Sequence, residues 1–96
     1  MAELSTRAVH LRIEGRVQGV GFRWFVRERA RRWGLVGWVR NDDDGSVLLA
    51  ARGHSSGVDG LLDDLARGPD GAWVTGMEQL PVGPDVPFHD PFTIIR

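Results

Sequence analysis

The sequence predicts an α/β (α+β) sandwich, β-α-β-β-α-β with a short C-terminal strand, and three observations carry that prediction. Val9, Leu11 and Ile13 alternate with His10, Arg12 and Glu14, the period of a strand with one buried face. Two later segments place their apolar residues on a single helical stripe. Between two further strand-like runs stands Asp44-Gly45, a hairpin turn signal. Helices with one apolar stripe must cover one face of a mixed, mainly antiparallel sheet, leaving the other face wetter.

The elements follow in order. Residues 8–14 make the first strand, which is expected to end at Gly15. Phe22, Phe25, Val26, Arg29, Ala30 and Trp33 follow helical spacing, with Arg27, Glu28, Arg31 and Arg32 facing outward, and Gly34 supplies the stop. Residues 35–41 and 46–52 are the second and third strands, paired antiparallel. Ser56-Gly57-Val58-Asp59 has the form of an approximate capping box, after which Val58, Leu61, Leu62, Leu65 and Ala66 form one stripe until Gly68-Pro69. Residues 72–80 read as a fourth strand, weakened by Gly76. Pro81, Pro84, Pro87 and Pro91 stiffen a connection, read as ordered loop or edge cover, before the closing strand 92–96. With each helix crossing between neighbouring strands in the right-handed sense, this is the split βαβ, ferredoxin-like plan.

A chain of 96 residues, 42% hydrophobic and 26% charged, fits a single domain over residues 1–96. Its net charge of −1 gives no global drive toward nucleic acid or an anionic membrane. All 12 basic residues are Arg, and eight lie between Arg7 and Arg32 against only Glu14 and Glu28. That run reads either as compositional bias on a solvated helix face or as a positive field over the segment from Gly15 to Arg23. Without Cys there is no disulfide framework, thiolate nucleophile or Cys-based metal site. Residues 1–6 carry no secretory leader pattern, and no apolar stretch approaches the ~20 residues of a membrane span, so a cytoplasmic, soluble protein is expected.

The most informative segment is Gly15-Arg16-Val17-Gln18-Gly19-Val20-Gly21-Phe22-Arg23, a glycine-studded loop leading straight into a helix. Such a loop can aim several backbone N–H groups at one point, and the first helical turn adds unpaired donors with partial positive charge. Arg in that turn opposes the helix dipole, which favours an anion between them, and its planar fork matches phosphate bidentately. The implied ligand is phosphate or carboxylate. The segment is not a P-loop, which needs Lys, nor the dinucleotide fingerprint, which would need Gly where Trp24 stands. A tight turn with Gly19 and Gly21 at positive φ explains the glycines but not Gln18 or Arg23. Asn41, closing the second strand, is ordinarily a turn residue; the split βαβ order, however, places the end of that strand beside the loop after the first. Arg23 and Asn41 can then share a site, a guanidinium holding an anion and an amide orienting a water.

Both segments resemble the two signature motifs of the acylphosphatase family. The run from Gly15 through Arg23 matches Gly-x-Val-Gln-Gly-Val-x-aromatic-Arg, and Gly37-Trp38-Val39-x-Asn41-x-x-Asp44-Gly45-x-Val47 matches the second motif. The resemblance extends through Gly68-Pro69 and residues 92–96. It implies a ferredoxin-like sandwich that hydrolyses small-molecule acyl phosphates to carboxylate and inorganic phosphate, without metal or other cofactor. By position, Arg23 would be the phosphate-binding Arg and Asn41 the water-positioning Asn. The backbone of Arg16, Val17, Gln18, Gly19, Val20, Gly21 and Phe22 would hold the phosphoryl oxygens. The family often has Thr or Ser where Val36 stands and a polar residue where Leu48 stands. Asp42, Asp43 and Asp44 are expected to repel an anionic substrate from beside Asn41.

Other residues read blandly. His10, His54 and His89 show no metal-ligand spacing, and Asp63-Asp64 reads as a solvated face. Trp33 and Trp38 fit apolar positions, while Trp24 and Trp73 are candidates to line a pocket. An RNA-recognition module would need stacking aromatics on its central strands, and the third strand has none. A closer rival is an anion-binding or carbamoyl-phosphate-related acylphosphatase-like module without turnover. The favoured expectation is an independent monomeric enzyme without nucleic-acid or membrane partners.

Overall fold

The structure, a computed structural model, describes residues 5–96; residues 1–4, the first part of the stretch read as lacking a leader pattern, lie outside the described residues. Its elements are β1 (Thr6–Arg16), α1 (Phe22–Arg32), β2 (Val36–Asn41), β3 (Val47–His54), α2 (Ser55–Arg67), β4 (Trp73–Gln79) and β5 (Thr93–Ile94). Among the described residues no helix is long and apolar enough to cross a membrane.

The five strands form one sheet in the order β4-β1-β3-β2-β5, antiparallel throughout except for the parallel β2–β5 pair. The helices therefore do not cross between neighbouring strands as expected. α1 joins β1 to β2 with β3 between them, and α2 joins β3 to β4 with β1 between them. The reason is the hairpin: β3 pairs with β2 on one side and with β1 on the other, filling the gap that the first crossover leaves. β1 also outruns its expected end. At Glu14/Gly15 the register against β4 shifts, so Gly15 is a bulge within the strand rather than its terminus. Gly15 has φ 127°, and a Cβ there would stand 2.0 Å from the Trp73 carbonyl oxygen, so the close strand approach requires glycine.

The main core lies between the sheet and the helices. Val9, Leu11 and Ile13 of β1 and Val47, Leu49 and Ala51 of β3 meet Phe22, Val26 and Ala30 of α1 and Val58, Leu61 and Leu65 of α2. The opposite face is not wet. Trp38, Leu48 and Ala50 are buried there under Leu80, just after β4, Val86 and Phe88 of the proline-rich connection, and Ile95, just after β5. That connection is tied down by Trp38 Nε1 donating to the Pro87 carbonyl at 3.0 Å and Gly37 N–H donating to the His89 carbonyl at 2.8 Å. The signal was in β3 itself: Val47-Leu48-Leu49-Ala50-Ala51 is apolar without alternation, as a strand covered on both faces requires.

Two local details differ from expectation. α2 begins at Ser55 and is capped by His54, whose Nδ1 accepts from Ser56 N–H at 3.2 Å; because β3 runs directly into the helix, Ser56 is already inside it. Asp64 is not on a solvated face, its side chain being only 15% exposed. It accepts from Trp33 Nε1 at 2.9 Å, and Trp33, 42% exposed, lies across Gly60 on α2 rather than in the core.

Gly37 has φ 147°, and a Cβ on it would fall 1.8 Å from the Ala50 carbonyl oxygen, inside the β2–β3 ladder. Gly37→Ala is expected to destabilise the chain by about 3 kcal/mol or more, since neither backbone can yield without breaking sheet hydrogen bonds. Urea denaturation of the variant against the parent chain checks this.

Candidate active site

The loop after β1 is pinned at both ends by buried side chains, Val17 and Phe22, each 1% exposed. Burying a Phe side chain contributes about 2 kcal/mol, enough to hold the short span between them against solvent. Within that span Gly19 and Gly21 have φ 75° and 76°, and a Cβ on either would meet nothing; glycine is needed here for its left-handed backbone, not for space. Gly21 is the N-cap of α1. It offers no side-chain cap, and the first turn holds no acidic residue.

The first backbone hydrogen bond of α1 runs from Phe25 N–H to the Gly21 carbonyl. Among the described residues, none of the backbone N–H groups from Val17 to Trp24 donates to an acceptor in the protein. A run of donors at the positive end of a helix dipole is therefore left for a ligand or solvent. Arg23 stands in that same turn, and its guanidinium makes no hydrogen bond or ion pair among the described residues.

Gln18 has a different part. Its Nε2 donates to the carbonyls of Asp42 and Ser46, both at 2.8 Å, so it ties the loop to the β2–β3 turn. That turn follows Asn41, the last residue of β2. Asn41 Oδ1 is buried and has no hydrogen-bond partner among the described residues. A buried acceptor left so costs about 1–3 kcal/mol, which marks Asn41 as a place where stability gives way to another demand.

Val17, Gly19, Gly21, Phe22, Arg23 and Asn41 line one cavity of about 180 Å³ together with Trp24, Ile94 and Arg96. Of the residues singled out in the sequence, Arg16, Gln18 and Val20 do not line it. Arg16 is an exposed residue at the end of β1 paired with Trp73, Gln18 faces the turn, and Val20 packs against the core. Trp24 is 59% exposed at the rim, whereas Trp73, 72% exposed, lies elsewhere. Ile94 and Arg96 were not legible as site residues. They arrive because β5 joins β2 in parallel, with Ile94 opposite Val39, two positions before Asn41. Among the described residues no group of three His, Asp or Glu side chains is placed to hold a metal ion.

The expected repulsion from Asp42, Asp43 and Asp44 is largely answered within the fold. Arg12 Nη1 donates to Asp42 Oδ2 at 3.1 Å, to Asp44 Oδ2 at 2.7 Å and to Ser46 Oγ at 3.0 Å. Arg40 lies 3.3 Å from the other Asp42 oxygen. The hydrogen bond from Arg12 holds the Asp42 carboxyl below the usual carboxylate range, and those from Ser46 do the same for Asp44. Arg12 is in turn shifted upward by its bond to Asp42.

Both carboxylates thus ionise at lower pH in the folded chain than in the unfolded one. Their stabilisation is complete above the ordinary carboxylate value and is lost as pH falls through the folded-state value, within the range from about pH 5 toward pH 1. Arg12→Gln is expected to raise the Asp42 midpoint and to narrow the acid loss of stability. A carbon-13 NMR titration of the Asp42 carboxyl in both chains, with urea denaturation across the same range, checks it.

The comparisons with known proteins agree with this geometry. A model of the acylphosphatase family matches residues 9–94. An acylphosphatase of Rhizobium etli is 52% identical over 74% of this chain and 76% of its own length. One of Geobacillus thermodenitrificans is 49% identical over 82% of this chain and 86% of its own. The crystal structure of acylphosphatase from Bacillus subtilis superposes with a TM-score of 0.81 at 31% identity, covering 96% of this chain and all of that one (100%). With a family model over residues 9–94, relatives about half identical and the βαββαβ sheet shared with a solved acylphosphatase, the chain belongs to the acylphosphatase family, hydrolases of acyl phosphates.

Proposed function

We propose that the cavity is where this hydrolysis occurs, with Arg23 and the backbone loop of residues 16–22 holding the phosphoryl group and Asn41 orienting the attacking water. One observation supports this above others: among the described residues, a cation, several loop residues whose N–H groups have no protein acceptor and a buried acceptor without a partner line one cavity. The three are complementary to an anionic phosphoryl group and a water beside it.

The chemistry asks for little more. The oxygen of the water forms a bond to phosphorus as the bond from phosphorus to the acyl oxygen breaks, and the carboxylate departs with that electron pair. A carboxylate leaves without prior protonation, so no general acid is needed, and a phosphoryl oxygen accepts the proton of the water. Catalysis then rests on position and on stabilising the charge that spreads over the three peripheral oxygens. Arg23 meets that charge with a planar fork, while Asn41 Oδ1 accepts from the water and sets its line of approach. Neither step draws on a metal.

An RNA-binding reading finds no support on the sheet, because the face that would stack bases is occupied by the connection packed over Trp38, Leu48 and Ala50.

Release of inorganic phosphate from benzoyl or acetyl phosphate in the presence of EDTA tests the assignment. Arg23→Ala should lower kcat/KM by roughly 10³-fold or more, as for other Arg groups on transferring phosphoryls. Asn41→Ala should lower kcat while competitive inhibition by inorganic phosphate persists. A folded parent chain that binds phosphate but releases none from either acyl phosphate would leave an anion-binding module instead.

A further inference from the structure

Asn41 is set on the cavity by its backbone alone, since its Oδ1 has no protein partner among the described residues. Whatever holds the turn from Asp42 to Ser46 therefore decides where that amide points. Within the turn, Asp42 N–H donates to the Ser46 carbonyl at 2.9 Å and Gly45 N–H to the Asp42 carbonyl at 3.2 Å. Two side chains from outside grip it. Gln18 takes its carbonyls from the loop side, and Arg12 takes its carboxylates and the Ser46 hydroxyl from β1.

Arg12 sits opposite Leu48 in the β1–β3 register, and Arg40 sits opposite Leu48 in the β2–β3 register, so Arg12 reaches the turn across β3 on the face away from the helices. Asn41 alternates with Arg40 and so shares the helix-side face with Val39. The two grips thus act on opposite faces of the same turn. Neither Arg12 nor Asp42 lines the cavity.

We propose that Arg12, through Asp42 and Asp44, is a positioning residue for the hydrolysis: it clamps the β2–β3 turn so that the Asn41 amide is held at a fixed distance from the phosphoryl cradle that Gln18 and Arg23 flank. The proposal rests on the water-orienting reading of Asn41. The charges around the clamp are consistent with it. Asp42 faces Arg12 from β1, Arg40 from β2 and Asp44 within the turn, and Arg12 also has Glu78 of β4 at 3.8 Å. Without Arg12, Asp42 keeps Arg40 and Asp44 keeps the Ser46 N–H and hydroxyl, but the tie from β1 across β3 to the turn is lost and the backbone beside Asn41 is free to shift.

The test is a kinetic cycle in the intact chain, with benzoyl phosphate as substrate and inorganic phosphate as inhibitor. Arg12→Gln should lower kcat about tenfold, the scale of a sub-ångström misplacement of a reacting group, and leave the inhibition constant of phosphate within roughly twofold. In the Asn41→Ala background the same substitution should change kcat no further, because the group it positions is gone. Arg12→Lys, which keeps charge and a multiple donor, should recover part of the loss. If Arg12→Gln folds poorly, Asp42→Asn removes the other half of the clamp and carries the same expectation. Unchanged kcat in Arg12→Gln, or an equal loss in both backgrounds, overturns the clamp. Undiminished kcat in Asn41→Ala alone overturns the water-orienting reading as well, whereas loss in Asn41→Ala with none in Arg12→Gln overturns the clamp only.

Discussion

The insertion of β3 between β1 and β2 is the constraint on which the site depends. Being antiparallel to both, β3 leaves β1 and β2 parallel, and the chain therefore exits both at the same end of the sheet. The loop after β1, the N-terminus of α1 and the Asn41 end of β2 are brought together by that arrangement alone. β5, parallel to β2, ends at the same end and delivers Ile94 and Arg96 to the same cavity. Had β1 and β2 been joined as a hairpin, the loop and Asn41 would lie a strand length apart.

Departures from good local design concentrate at that end. A helix without a side-chain cap, an Arg in its first turn and a buried amide oxygen without a partner are each unfavourable, the first two by about 0.3–2 kcal/mol apiece. The rest of the chain is consistent with its fold, with single apolar stripes on both helices and a core that excludes water on both faces of β3. Conflicts gathered in one cavity, against a background of agreement, are what a site for an anion and a water requires.

The distribution of Arg is sorted by the fold in the same way. Between residues 7 and 32, Arg7 meets Asp59, Arg27 meets Glu28, Arg29 lies near Asp64, and Arg31 donates to the Phe92 carbonyl. Most of the run is therefore ordinary surface pairing, worth little individually. Among the described residues Arg16, Arg23 and Arg32 have no such partner, and of these three Arg23 alone lines the cavity. Two of the three carboxylates of the acidic turn are likewise paired, Asp42 with Arg12 and Arg40 and Asp44 with Arg12.

The sequence by itself determined the elements and the chemistry of the loop. Periods of two and 3.6 are local properties, as is the need for glycine at positive φ, so β1, both helices, the hairpin, Gly19, Gly21 and the Arg23 turn could be read from adjacent residues, whereas Asn41, locally a turn residue, was singled out only through the strand order. Only the tertiary structure decided which groups meet. The Gln18 side chain proved to be a tether from the loop to the β2–β3 turn because its partners, the Asp42 and Ser46 carbonyls, are more than twenty residues away. Ile94 and Arg96 join the cavity, Asp64 leaves the solvated face, and Asp42 and Asp44 become partners of Arg12 for the same reason. Pairing energies depend on distance in space, which a one-dimensional pattern carries only where the partners share an element.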